Sequence, residues 1–144
     1  MPFELSNRQI KIIDIVGVTF IGTMVTLGVV AAPTASACRN DMYHGEKKVR
    51  FCTITLYAGA PFADKPGRRA RHFLERGIAL TELGRMGEAM ADFRRAVRDT
   101  APTDDVGIGT SMRNTFRQRL LERIAQEDPA SAARKAFEEA LRQG

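Results

Sequence analysis

Apolar positions recur at helical spacing through the middle of the chain, between residues 69 and 99. They fall three and four positions apart, first in one run and then, after Gly84, in a second run. The recurring residues are Phe73, Gly77, Leu80 and Leu83, followed by Ala89, Phe93, Ala96 and Val97. This spacing places apolar side chains on one face of a helix. The pattern therefore predicts two amphipathic helices that form a hairpin, with Gly84 at the bend.

Part of this pattern occurs again near the end of the chain. Ala89, Phe93 and Ala96 recur as three residues at an offset of 44 positions. These equivalents are Ala133, Phe137 and Ala140. A second unit is therefore predicted, pairing a helix over about 112–126 with another over about 130–143. Leu121 stands there in the place that Gly77 has in the first unit.

The segment before the central hairpin fits two interpretations. Residues 49–57 are rich in β-branched side chains and nearly alternate between polar and apolar, which favours a strand. Val49, Cys52 and Leu56 also fall at helical spacing. The residues alone therefore leave open a helix over 45–58 or a disulfide-closed β-hairpin.

The N-terminal segment contains an uncharged apolar run of 18 residues, Ile15–Ala32. It is followed by Ala35 and Ala37, two small side chains of the kind that a signal peptidase accepts. The pattern predicts a signal peptide over 1–37, cleaved after Ala37. An uncleaved membrane anchor over residues 15–32 and a lipidated Cys38 are the alternatives. All three place the rest of the chain outside the cytoplasm.

The two cysteines, Cys38 and Cys52, are the only ones in the chain. In an oxidising compartment they predict one disulfide that closes a loop of about 15 residues. Their spacing is not that of a thiol redox motif or a haem attachment site. His44 and His72 are the only imidazoles and do not lie at zinc-ligand spacing. No metal and no cofactor is predicted.

The net charge of +5 belongs to the part of the chain after residue 37. Most arginines there alternate with acidic residues, as expected of a solvated helix surface. The densest basic cluster is Lys65, Arg68, Arg69 and Arg71, which suits an anionic lipid or an acidic partner. No aromatic residues interleave with that cluster, so nucleic acid is not an expected partner. Neither histidine has a Ser or Cys nucleophile at a spacing that implies a shared site, and the chain is not predicted to be an enzyme.

The central segment resembles the tetratricopeptide repeat over about 34 residues. The resemblance is carried by RGIAL at 76–80, LGRM at 83–86, EA at 88–89 and ADFRRA at 91–96. It implies an all-α fold, a short right-handed superhelix of helical hairpins preceded by the signal or anchor helix. The implied domains are 1–37, a first hairpin and linker over 38–67, a repeat over 68–103, and an atypical repeat with a capping helix over 104–144. The signature packing residues are Phe73, Gly77, Leu80, Gly84, Ala89, Phe93, Ala96, Ala133, Phe137 and Ala140.

The wider pattern is similar to small exported repeat proteins of Gram-negative bacteria. In those proteins two cysteines clip a degenerate first hairpin, so the resemblance favours a helix over 45–58. It implies a periplasmic or envelope-associated adaptor or scaffold that binds a protein or peptide segment. The alternative is an accessory subunit of an inner-membrane complex, held by the uncleaved helix and facing the periplasm.

The resemblance also implies a binding groove. Its expected residues, on the first helix of each repeat, are Arg71, Leu74, Ile78, Glu82, Gln118 and Glu122. The Lys and Asn that bind acidic chaperone tails in this family are missing, because Leu74 and Ile78 stand in their place. An apolar or mixed segment is therefore the expected ligand.

Overall fold

The computed structural model describes residues 32–59, 66–102 and 108–144, with isolated positions at 19, 22, 23, 26 and 29. Two thirds of the apolar run 15–32 lies outside these residues, and so does Lys65. No helix in the described part combines the length and apolar character that crossing a membrane requires.

All regular secondary structure in the described ranges is helical. The helices are α1 (Gly45–Ala58), α2 (Pro66–Glu82), α3 (Met86–Asp99), α4 (Ile108–Ile124) and α5 (Ala132–Gln143). Residues 32–39, the leading segment, are also helical and reach α1 through a turn at residues 40–44. The all-α prediction is confirmed for the described residues.

Residues 45–58 form a helix, so the β-hairpin alternative is wrong. Val49, Cys52 and Leu56 are all buried, as their helical spacing requires. Ile54 and Tyr57 point to solvent. Packing of one helical face against α2 has overridden the local preference of the β-branched residues for a strand.

The predicted disulfide is present. The sulfurs of Cys38 and Cys52 lie 2.10 Å apart and both residues are fully buried. The bond fastens the leading segment to the middle of α1.

Replacing both cysteines by Ser is expected to lower the free energy of unfolding by about 2–5 kcal/mol, the usual loss in a small domain. The unfolded chain would regain the entropy of an open loop, and two buried sulfurs would become hydroxyls. Urea unfolding of the oxidised parent and the double variant measures the difference. Equal midpoints and slopes would contradict a stabilising role for the bond.

The central hairpin is formed by α2 and α3, which share the most extensive helix–helix contact in the chain. Gly84 ends α2 with a φ of 72°, a conformation that glycine adopts without strain. The backbone N–H of Arg85 donates to the carbonyl of Leu80 at 2.9 Å, which closes the α2 terminus in a Schellman-type turn. The predicted hairpin and its glycine bend are confirmed.

Gly77 lies where α2 and α3 approach each other closely. A Cβ atom at Gly77 would lie 2.4 Å from Cε1 of Phe93, far inside contact distance. Phe93 is fully buried and meets Phe137 of α5 edge-on, with ring centroids 5.7 Å apart. The two phenylalanines related by the sequence offset thus contact each other in the core.

The last two helices do not pair in the way the sequence predicted. α5 packs mainly on α3, and α4 packs mainly on α2, while α4 and α5 contact each other much less. The predicted pairing within the second unit is therefore wrong. A physical reason is that α4 approaches α2 closely instead of α5. A Cβ atom at Gly67 of α2 would lie 2.2 Å from Cδ2 of Phe116 of α4.

Candidate functional site

Two of the six predicted groove residues are not on a surface. Leu74 is 0% exposed and Ile78 is 3% exposed, and both belong to the core. The prediction that they form an open apolar pair is wrong. The reason lies in the position of α2, which contacts α1, α3, α4 and α5.

Glu82, another predicted groove residue, caps a helix. Its Oε2 accepts the backbone N–H of Gly45 at 2.9 Å, and its Oε1 lies 3.5 Å from Nδ1 of His44. A carboxylate at the start of α1 satisfies a free N–H and interacts favourably with the helix dipole. Glu82 therefore joins the end of α2 to the start of α1.

Gln118 and Glu122 lie exposed on α4. They line an open groove of about 520 Å³ along that helix. The groove is otherwise lined by Ser111, Asn114, Thr115 and Arg119. We call these six residues the α4 groove.

A buried charge cluster links α1, α2 and α4. Glu75 is 0% exposed, and its carboxylate lies 3.0 Å from Nζ of Lys48, 2.8 Å from Nε of Arg71 and 3.0 Å from Nε of Arg123. Asp41 reaches the cluster from the turn, 3.5 Å from Lys48 and 3.2 Å from Arg123. Charges taken out of water need such partners, since an unpaired buried charge is strongly destabilising.

A second charged pair joins α2 to α3. Arg76 donates two hydrogen bonds to the carboxylate of Asp92, at 2.6 and 2.8 Å, and a third to Thr53 of α1 at 3.1 Å. The hydrogen bond to Asp92 raises the pKa of the Arg76 guanidinium. Both sets of ion pairs join neighbouring helices through charges that are already neutralised.

A basic cavity of about 560 Å³ opens between the first turns of α2 and the middle of α4. Four arginines line it, one from the leading segment, two from α2 and one from α4, and no acidic residue does. The lining residues are Arg39, Gly67, Arg68, Arg71, His72, Phe116, Arg119 and Leu120. We call this site the basic cavity.

Three of the four arginines have no ion pair within the part of the chain that the structure describes. Arg71 is engaged with Glu75. Among the described residues, no carboxylate lies within the 4.0 Å ion-pair distance of Arg39, Arg68 or Arg119. The sequence cluster had pointed to Arg68 and Arg71. The sequence did not indicate that Arg39 and Arg119 belong to the same site, because they lie far apart along the chain.

His72 lies at the wall of the basic cavity. Burial lowers its pKa from 6.5 to about 4, the positive charges of Arg39 and Arg71 add to the decrease, and Glu75 opposes it. Its Nδ1 is buried with no hydrogen-bond partner in the part of the chain that the structure describes. At neutral pH the imidazole is therefore uncharged.

The unfolding free energy is expected to fall as the pH drops from about 6.5 to 4. In that window the unfolded chain takes up a proton on His72 and the folded chain does not, which favours unfolding by up to about 3 kcal/mol. Urea unfolding at several pH values measures the slope for the parent, His72→Gln and, as an exposed control, His44→Gln. If the unfolding free energy of His72→Gln depends on pH as that of the parent does, groups other than His72 cause the dependence.

The basic cavity offers hydrogen-bond donors and positive charge, with the uncharged imidazole of His72 at its wall. Both cysteines are consumed by the disulfide. Within the described ranges, no three His, Cys, Asp or Glu side chains come together as a metal ion requires. What the arrangement can do chemically is bind an anionic group.

Comparison with known proteins gave no match among family models, curated proteins or solved structures. Function is therefore inferred from the chain's own residues.

Proposed function

We propose that this protein is an exported, non-catalytic module that holds a segment of another protein, as an adaptor or scaffold of the bacterial envelope. Its helices would form a short right-handed superhelix of the tetratricopeptide type, in which α1, α4 and α5 pack on the central hairpin of α2 and α3. The buried signature residues, among them Gly77, Phe93 and Phe137, support this arrangement.

Export is supported by the disulfide. Bonds of this kind persist in oxidising compartments such as the periplasm and are rare in the cytoplasm. The bond between Cys38 and Cys52 is buried in the core rather than exposed as a reactive pair. A periplasmic domain that begins near Cys38 is consistent with a signal peptide over 1–37.

The observation that carries the binding proposal is the continuity of two surface features of α4. Arg119 lines both the α4 groove and the basic cavity. The groove residues recur three and four positions apart and so form one stripe on the helix. Their hydroxyl and amide groups are suited to hydrogen bonds with a peptide backbone. An extended segment would lie along this stripe and end at the cavity.

Site-specific photo-crosslinking in cells tests this placement. A photoreactive amino acid is introduced at Gln118 in the α4 groove, or at Lys135, which is exposed on α5 and serves as the matched control. We expect a discrete protein adduct from position 118 and none from position 135. Adducts of equal yield from both positions, or none from position 118, would contradict a partner bound along α4.

A further inference from the structure

We propose that the basic cavity binds the side-chain carboxylates of an acidic, partly apolar segment of the partner protein. The inference rests on the proposed function, since it names the chemistry of the segment held beside α4.

Positive charge converges on this cavity from three separate elements. Arg39 comes from the leading segment, Arg68 and Arg71 from α2, and Arg119 from α4. By contrast, Arg76 and Arg123 are neutralised by Asp92 and Glu75. The lining includes no acid to neutralise the cavity arginines. A planar guanidinium pairs with a carboxylate through two parallel hydrogen bonds, so several arginines in one cavity select a ligand with several carboxylates.

The walls indicate that the ligand is not a bare inorganic anion. The cavity volume of about 560 Å³ lies in the range of sites that hold an organic ligand of some size. Phe116 and Leu120 give it an apolar side, and Gly67 fits closely against the ring of Phe116. A segment that combines Glu or Asp with an apolar side chain matches both halves of the lining.

The disulfide contributes to this site by placing Arg39. The residue directly follows Cys38, which is bonded to Cys52 in α1. The disulfide therefore keeps the backbone of Arg39 beside the cavity whether or not residues 1–37 are removed, and Arg39 forms no salt bridge with a described residue that an anionic ligand would have to displace.

Fluorescence anisotropy with defined peptides tests the inference on the full oxidised protein. The probe is a labelled twelve-residue peptide of alternating Glu and Leu pairs, and its matched control has Gln in place of every Glu. We expect the Glu peptide to bind with an affinity that falls with salt, and the Gln peptide to bind at least about tenfold more weakly.

Two double variants of equal charge locate the site. Arg68→Gln with Arg119→Gln removes two cavity arginines, whereas Arg50→Gln with Lys135→Gln removes two exposed cations from α1 and α5. We expect the first to weaken binding of the Glu peptide by about tenfold or more and the second to change it less than twofold. Neither cavity residue belongs to the buried charge cluster, and circular dichroism melting checks that both variants fold like the parent.

The outcomes separate this inference from the proposed function. An equal loss in both double variants would overturn the cavity as the site, because binding would then follow overall charge. Failure of the Glu peptide to bind, while position 118 still crosslinks to a protein, would overturn the acidic chemistry and leave the proposed function in place. If the protein binds phosphatidylglycerol vesicles but not the peptide, the ligand of the cavity is a lipid surface. If millimolar phosphate competes fully with the peptide, the ligand is a small anion. Either result overturns the inference.

Discussion

Replacing Glu75 by Gln is expected to lower the free energy of unfolding by about 3–5 kcal/mol. The carboxylate is fully buried and is the common partner of Lys48, Arg71 and Arg123. Lys48 is itself only 3% exposed, so the neutral variant leaves a buried ammonium without its main counter-charge. Denaturant unfolding at neutral pH measures the loss.

An exposed ion pair provides the control. Glu138 pairs with Arg134 at 3.1 Å on the surface of α5, and Glu138→Gln is expected to cost less than about 1 kcal/mol. Lys48→Met should cost less than Glu75→Gln, because Glu75 keeps its two arginines. If Glu75→Gln and Glu138→Gln unfold at the same denaturant concentration, the buried cluster does not stabilise the fold.

Truncating Phe93 to Ala is expected to cost about 3–5 kcal/mol. The ring is fully buried between the close approach at Gly77 and the edge-on contact with Phe137. Its removal leaves a cavity where three helices meet, because rigid helix backbones close such a space only in part. Thermal and urea unfolding of the variant measure the loss.

A double-mutant cycle with Phe137→Ala separates the contact between the rings from the burial of each. Coupling of about 0.5–1.5 kcal/mol is expected for an aromatic pair in this geometry. Leu83→Ala, at a residue that is 39% exposed, is the surface control and should change the unfolding free energy by less than about 0.5 kcal/mol. If Phe93→Ala unfolds at the same temperature and urea concentration as the parent, the contact between α3 and α5 does not stabilise the fold.

The buried charge cluster and the basic cavity share Arg71. This residue donates to Glu75 on one side and lines the cavity on the other. Glu75 therefore orients a cavity side chain and neutralises part of its charge, which leaves Arg39, Arg68 and Arg119 as the groups open to an anion. Glu75→Gln would free the Arg71 guanidinium as well as loosen the helices.

The sequence by itself determined the features that depend on local chemistry. Helical periodicity marked α2 and α3, and a glycine able to adopt positive φ marked their turn. The 44-residue recurrence marked the buried Phe93 and Phe137. Because the chain has two cysteines, Cys38 and Cys52, only one disulfide could form within it. These signals are short-range or self-contained, so they can be recognised without knowing how the helices pack.

Only the tertiary structure decided which faces are covered and which charges meet. Leu74 and Ile78 are core because α2 lies between all the other helices, a fact that no spacing within α2 expresses. Glu75 resembles any solvated helix acid until Lys48 and Arg123 are brought to it from far along the chain. Arg39 and Arg119 come together for the same reason. Burial and charge pairing across helices depend on the relative placement of distant segments, and periodicity within one helix does not encode that placement.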